Sequence, residues 1–178
     1  MQKREVKVYI AVSLDGYIAH SDGNIEWLDS VARPDEDYGY AAFIETIDTV
    51  IMGRKTYEKV LSFGGDFPHA GRDCYVLSRT ERAPDGQVRF FSGPVEELLN
   101  QFRSRPGKDI FIDGGSEAID QFREKGLIDS YTVSILPILL GEGIPLFKES
   151  KKELPLKLVK AIPFDSGLMQ LTYEPIDE

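Results

Sequence analysis

The nine residues Val50-Ile51-Met52-Gly53-Arg54-Lys55-Thr56-Tyr57-Glu58 constrain the fold of this chain more than any others. An apolar run of strand type halts at a glycine, and a basic pair and a threonine then open a stretch of helical character. Gly53 lets backbone come close to a ligand, the first N–H groups of a helix lack intrahelical partners, and the positive helix end with Arg54 and Lys55 favours an anion. The same stretch also reads as a βα turn whose glycine serves geometry alone. Recurrence favours the binding reading. Cys74-Tyr75-Val76-Leu77 runs into Ser78-Arg79-Thr80, and Ile110-Phe111-Ile112-Asp113 runs into Gly114-Gly115-Ser116-Glu117 before another helical stretch. In an open α/β sheet, ligands sit beyond the carboxyl ends of the strands, so three strands delivering glycine, hydroxyl or guanidinium there point to one crevice.

A dinucleotide suits such a crevice. Gly114-Gly115 at a helix start can hold a pyrophosphate on backbone N–H groups, while Arg54, Ser78 and Arg79 can grip a separate phosphate, which selects NADPH over NADH. The G-x-G-x-x-G fingerprint is absent, and no acidic residue stands where a free ribose 2′-hydroxyl would be held.

Periodicity gives eight strands, at about 6–12, 49–52, 73–77, 88–91, 109–113, 131–136, 156–164 and 168–173, and four helices, near 37–47, 55–63, 95–104 and 116–125. Strands alternating with helices imply an α/β fold with a mainly parallel sheet. The last two strands, joined through Asp165-Ser166-Gly167, imply an antiparallel hairpin at its edge. At 178 residues, 42% hydrophobic and 29% charged, the chain suits one substantial core and is short for two, so a single domain over 1–178 is expected. No apolar run reaches the ~20 residues needed to span a bilayer, Met1-Gln2-Lys3-Arg4-Glu5 has no apolar signal core, and a cytoplasmic location is the expectation. A net charge of −9 argues against a nucleic-acid partner, which needs a broad basic surface. His20, His69 and the lone Cys74 make no metal constellation, so no metal is expected, and Cys74 reads as a small buried apolar residue.

Segment order and spacing resemble the dihydrofolate-reductase-like superfamily, and more closely the reductase domain of the riboflavin-biosynthesis deaminase-reductase. The resemblance rests on Val8 to Ala19, Met52-Gly53-Arg54-Lys55-Thr56-Tyr57-Glu58, Leu77-Ser78-Arg79, Ile112-Asp113-Gly114-Gly115-Ser116, Leu127-Ile128-Asp129 and Pro137 to Phe147. It implies a three-layer fold, NADPH as cofactor, a homodimer and hydride transfer to a C=N or C=O carbon of a small substrate. Ala11, Gly16 and Ile18 would border the nicotinamide. Gly53, Arg54, Lys55, Thr56, Leu77, Ser78 and Arg79 would hold the adenosine half with its 2′-phosphate, and Gly114, Gly115 and Ser116 the pyrophosphate. It also implies a cis peptide between Gly114 and Gly115.

The proton source is less plain. Asp37 matches the spacing of the folate enzymes' carboxylate early in the first helix, yet Asp35-Glu36-Asp37 after Pro34 is also what an N-cap and first turn want in any protein. Asp15 in Ser13-Leu14-Asp15-Gly16 is a turn residue or a substrate contact. Trp27 walls a substrate pocket or plugs the core, and Leu136-Pro137 shapes the substrate mouth or bends the chain. One cysteine cannot furnish a zinc deaminase site, so any such activity would belong to another protein. Three functions stand open: an NADPH-dependent reductase of a phosphoribosylamino-pyrimidine or similar heterocycle, a dihydrofolate reductase, and a non-catalytic NADPH-binding module.

Overall fold

The structure, a computed structural model, describes residues 3–176. In chain order it comprises β1 (Val6–Ser13), β2 (Tyr17–Ala19), a 3₁₀ helix (Glu26–Val31), α1 (Tyr40–Glu45), β3 (Ile47–Gly53), α2 (Arg54–Ser62), β4 (Asp73–Leu77) and β5 (Val88–Phe91). There follow α3 (Val95–Arg103), β6 (Asp109–Gly114), α4 (Ser116–Glu124), β7 (Ser130–Leu136), β8 (Ile144–Pro145), β9 (Leu156–Pro163) and β10 (Met169–Pro175). Eight strands form one sheet in the order β5-β4-β3-β6-β1-β7-β10-β9, and β2 pairs with β8 in a small separate ladder. From β5 across to β7 every neighbour is parallel, while β10 runs antiparallel to both β7 and β9.

Strand period two distributes the apolar residues to both faces, as a parallel sheet covered by helices on both sides requires. Val6, Val8, Ile51, Ile110 and Ile112 pack against Leu98, Leu99 and Phe102 of α3 and Ala118, Ile119 and Phe122 of α4. Their neighbours Val50, Met52, Cys74, Val76 and Phe111 face the other way, onto Tyr57 of α2 and Phe43 and Ile44 of α1. The helix layers are therefore α3 with α4 on one side and α1 with α2 on the other. Cys74 is buried here, and burial pushes its thiol up to about 11.

Three local departures from the sequence reading have physical causes. Helix α1 is a short Tyr40–Glu45, not 37–47, because Tyr38 (φ 56°) and Gly39 (φ 84°) are both left-handed and cannot continue a right-handed helix. At its other end Ile47 is taken into β3, opposite Asp109. The 3₁₀ helix and the β2/β8 ladder were not foreseen; both are too short to show a period. On the far edge, β9 has no further strand beside it among the described residues, and Leu158 and Val159 stand half exposed there.

Candidate functional site

Strand order decides what the carboxyl ends bring together. Strand β6 lies between β3 and β1, and β4 lies on the other side of β3. Gly53 therefore stands level with Leu77 on one side, and Met52 with Gly114 on the other. A methyl built on Gly53 would come within 3.7 Å of the Gly115 nitrogen, and one on Gly115 within 3.3 Å of Thr56 Oγ1. The two glycine turns are thus adjacent, each opening a helix (α2 and α4) with no side-chain cap on its N-terminus. Free N–H groups of two neighbouring helix starts converge on one spot, with the expected cis peptide at Gly114-Gly115 between them.

Around this cradle, Arg54, Lys55 and Arg79 are exposed and Thr56 and Ser78 half buried. Arg54 is engaged by Glu58 one turn on, at 2.9 Å, an exposed pair that a phosphate can replace. Leu77 is a core residue at the strand tip, and the Ser78 N–H donates to the Phe91 carbonyl at 2.9 Å, so Ser78 and Arg79 are aimed by the β4/β5 ladder. Ser116 is buried and its hydroxyl donates to the Pro145 carbonyl, which leaves only its backbone for a ligand. The residues present thus fit a phosphorylated dinucleotide through backbone N–H groups and exposed cations.

Beside the cradle, along the ends of β1, β6 and β7, lies a cleft of about 280 Å³. Tyr9, Tyr38, Tyr40 and Phe111 make aromatic walls, Ala11, Leu136 and Leu168 an apolar floor, and Asp113 is its one carboxylate. The Tyr9 hydroxyl donates to the Tyr38 carbonyl, and the Gln170 amide reaches the Tyr9 hydroxyl at 2.9 Å, the Tyr38 carbonyl at 3.0 Å and the Ser134 hydroxyl at 3.0 Å. Burial raises Tyr9, and burial with the Asp113 charge pushes Tyr40 up to about 12, so both phenols stay protonated at neutral pH.

Several sequence-nominated residues lie elsewhere. The Asp37 carboxylate is exposed and accepts the N–H groups of Ala41 at 2.8 Å and Gly39 at 2.9 Å. These bonds, Ala41's first, hold it below the usual carboxylate range, the reverse of what a proton donor needs. Asp37 is therefore placed as a helix cap outside the cleft. Asp15 accepts from the Ser13 hydroxyl at 2.6 Å and from the N–H groups of Leu140 at 3.1 Å and Gly141 at 2.7 Å. It too is held low, by the Ser13 hydroxyl first, and it ties the β1–β2 turn to the loop after β7. Trp27 is buried in the cluster with Val31, Leu136 and Leu168, behind the cleft wall. Pro137 is exposed and packs near Gly167, Ile18 belongs to the core, and Gly16 (φ 90°) turns the chain into β2.

The sequence reading passed over Asp113, Tyr9, Tyr38, Tyr40 and Ser134 as site residues. Only Asp113 carried a signal, as the residue directly before the diglycine. His69, on the turn before β4, is 2% exposed and bonded through Nε2 to Asp113 at 2.9 Å. Among the described residues no cluster of three or more metal-type ligands gathers, and no helix is long and apolar enough to cross a membrane.

Both depressed carboxylates make the fold acid-sensitive. A group whose pKa is lower folded than unfolded contributes stability above its unfolded value, about 4, and loses it as pH falls through the folded value. Asp15→Asn and Asp37→Asn should each melt below the wild type at neutral pH, with the gap closing below about pH 4. A gap that persisted unchanged into acid would contradict the assignment.

This arrangement, an eight-stranded sheet with a glycine cradle beside an aromatic cleft, defines a dihydrofolate-reductase-like fold. The chain superposes on a dihydrofolate reductase of Enterococcus faecalis complexed with NADP(H), with a TM-score of 0.71 over 97% of each chain at 19% identity, a likeness of fold alone. Residues 4–170 match the RibD C-terminal domain, and the chain belongs to that family. It is 39% identical to the uncharacterized protein YwjB of Bacillus subtilis over 172 residues, 96% of this chain and 98% of YwjB. It is also 35% identical, with a TM-score of 0.90 and 97% and 99% coverage, to a Shewanella sp. PV-4 crystal structure assigned by name to riboflavin biosynthesis.

Proposed function

We propose that this chain is an NADPH-dependent reductase that transfers a hydride to a small nitrogen heterocycle, a ribosylamino-pyrimidine of the riboflavin type being the substrate its family points to. The observation that carries this reading is the end of β6. Three consecutive residues there supply the carboxylate of the cleft, Asp113, and the two glycines of the cradle, so cofactor and substrate sites share one strand tip. Gly53, Gly114 and Gly115 with the starts of α2 and α4 take the pyrophosphate, Arg54, Ser78 and Arg79 the 2′-phosphate, and Ala11 borders the nicotinamide. NADPH, when bound, supplies the hydride. The protein stacks the acceptor between Tyr9, Tyr38, Tyr40 and Phe111, keeps water from the floor, and presents Asp113 to the N–H edge of the ring, where the incoming proton is handled. Dihydrofolate reduction loses its best sequence support, since Asp37 lies outside the cleft.

Titration of the pure protein with NADPH and NADH, followed by Trp27 fluorescence, tests the cofactor assignment. Trp27 is buried against the residues that back the cleft, so it reports occupancy. Arg79→Ala should weaken NADPH about 10–100-fold, the value of one charge-assisted phosphate contact, and leave NADH unchanged. Equal weakening of both would remove Arg79 from the 2′-phosphate. Binding with no turnover of any pyrimidine or pteridine would leave the non-catalytic module as the function.

A further inference from the structure

We propose that His69 is the positioning residue of the cleft: its Nε2–H holds one oxygen of Asp113, turns the other toward the ligand and keeps the group a hydrogen-bond acceptor. The proposal rests on the reading of the cleft as a heterocycle site. His69 lies on the turn before β4, on the same face of the sheet as Phe111, and its ring packs edge-on against Phe67 and Phe111 at 5.8 and 6.1 Å. The turn is pinned: the Arg72 N–H donates to the His69 carbonyl at 3.1 Å, and the Gln87 amide to the same oxygen at 3.4 Å. A phenyl or isobutyl group would fill such an aromatic niche without a polar atom. Histidine there leaves Nδ1 buried with no partner, a cost that only the bond from Nε2 to Asp113 offsets.

The orphaned Nδ1 also decides the tautomer. Were the hydrogen on Nδ1, a buried N–H would have no acceptor and Asp113 would have to donate; with the hydrogen on Nε2, only a lone pair goes unmet. Asp113 is therefore an acceptor with a fixed plane. Its side chain is 23% exposed toward the cleft, while His69 is 2% exposed. The charged and titratable groups nearby are Tyr40 from α1 and Arg72 and Cys74 at the start of β4, and none of them is hydrogen-bonded to the Asp113 side chain.

The test uses 2,4-diaminopyrimidine, whose amino N–H groups can donate to the carboxylate oxygen that His69 leaves free, titrated into the protein alone. Asp113→Ala should abolish binding. His69→Gln, which keeps an N–H donor, should bind within about threefold of wild type, and His69→Leu should weaken binding about tenfold or more. The chain has two histidines, so His20→Gln isolates the His69 imidazole for nitrogen-15 NMR. Its Nε2–H resonance should shift when the probe binds and vanish in Asp113→Ala. Probe binding by His69→Leu at wild-type strength, a resonance indifferent to the probe, or no probe binding by the wild type would each overturn the proposal. Should the leucine variant fail to fold, the resonance measured in His20→Gln decides. Absence of saturable NADPH binding would overturn the cofactor reading instead, without touching these comparisons.

Discussion

Asp113→Asn is expected to lower hydride transfer from NADPH about 10²–10⁴-fold, the usual worth of a positioned acid or base, while NADPH affinity stays within about threefold. Asparagine has nearly the shape of aspartate and can still accept from His69, so the loss isolates charge and proton handling from packing. Asp113 is the one carboxylate among the cleft's lining residues, and two of the cleft's phenols, Tyr9 and Tyr40, are pushed upward in pKa by burial and cannot take its place as an anion near neutrality. Single-turnover oxidation of NADPH, with whichever pyrimidine or pteridine acceptor the wild type reduces, measures the effect. A variant as fast as wild type would move the proton chemistry away from β6, to solvent or to the substrate itself.

The second large effect concerns stability. Arg4 is a buried cation, 3% exposed, just before β1. Its guanidinium donates to the Lys108 carbonyl at 2.7 Å, the Phe102 carbonyl at 3.2 Å and Thr49 Oγ1 at 2.7 Å, and it pairs with Asp48. One side chain therefore joins the entry to β1, the end of α3, the start of β3 and the approach to β6. Arg4→Leu removes every one of these donors and leaves buried oxygens unmet, at a cost of about 3–5 kcal/mol, or a drop in melting temperature of roughly 10 °C. Urea unfolding should show it, with Lys3→Ala, at an exposed pair to Asp129, costing less than about 1 kcal/mol. Equal effects at the two sites would refute the ranking.

Much of the glycine cradle was legible without coordinates because its geometry is local. A glycine that ends a strand and the helix that starts beside it lie within a few residues, and their backbone geometry follows from residue type. The same holds for the eight strands and three of the four helices, whose periods extend over enough residues to be counted. Helix α1 was misjudged because the left-handed pair Tyr38-Gly39 leaves no mark on hydrophobic period. Asp37 was weighed as cap and as catalyst on one signal, an acid before a helix, which cannot separate the two.

What the sequence determined by itself is the set of glycine-ended strands and the covered parallel sheet, both consequences of short-range sterics and of which residues water rejects. What only the tertiary structure decided is the cleft and its acid. Asp113 meets His69 across 44 residues, Gln170 meets Tyr9 across 161, and the Tyr38 carbonyl meets both Tyr9 and Gln170, because only β7 separates β1 from β10. Such meetings depend on strand order, a property of the whole sheet's packing free energy that no single segment carries.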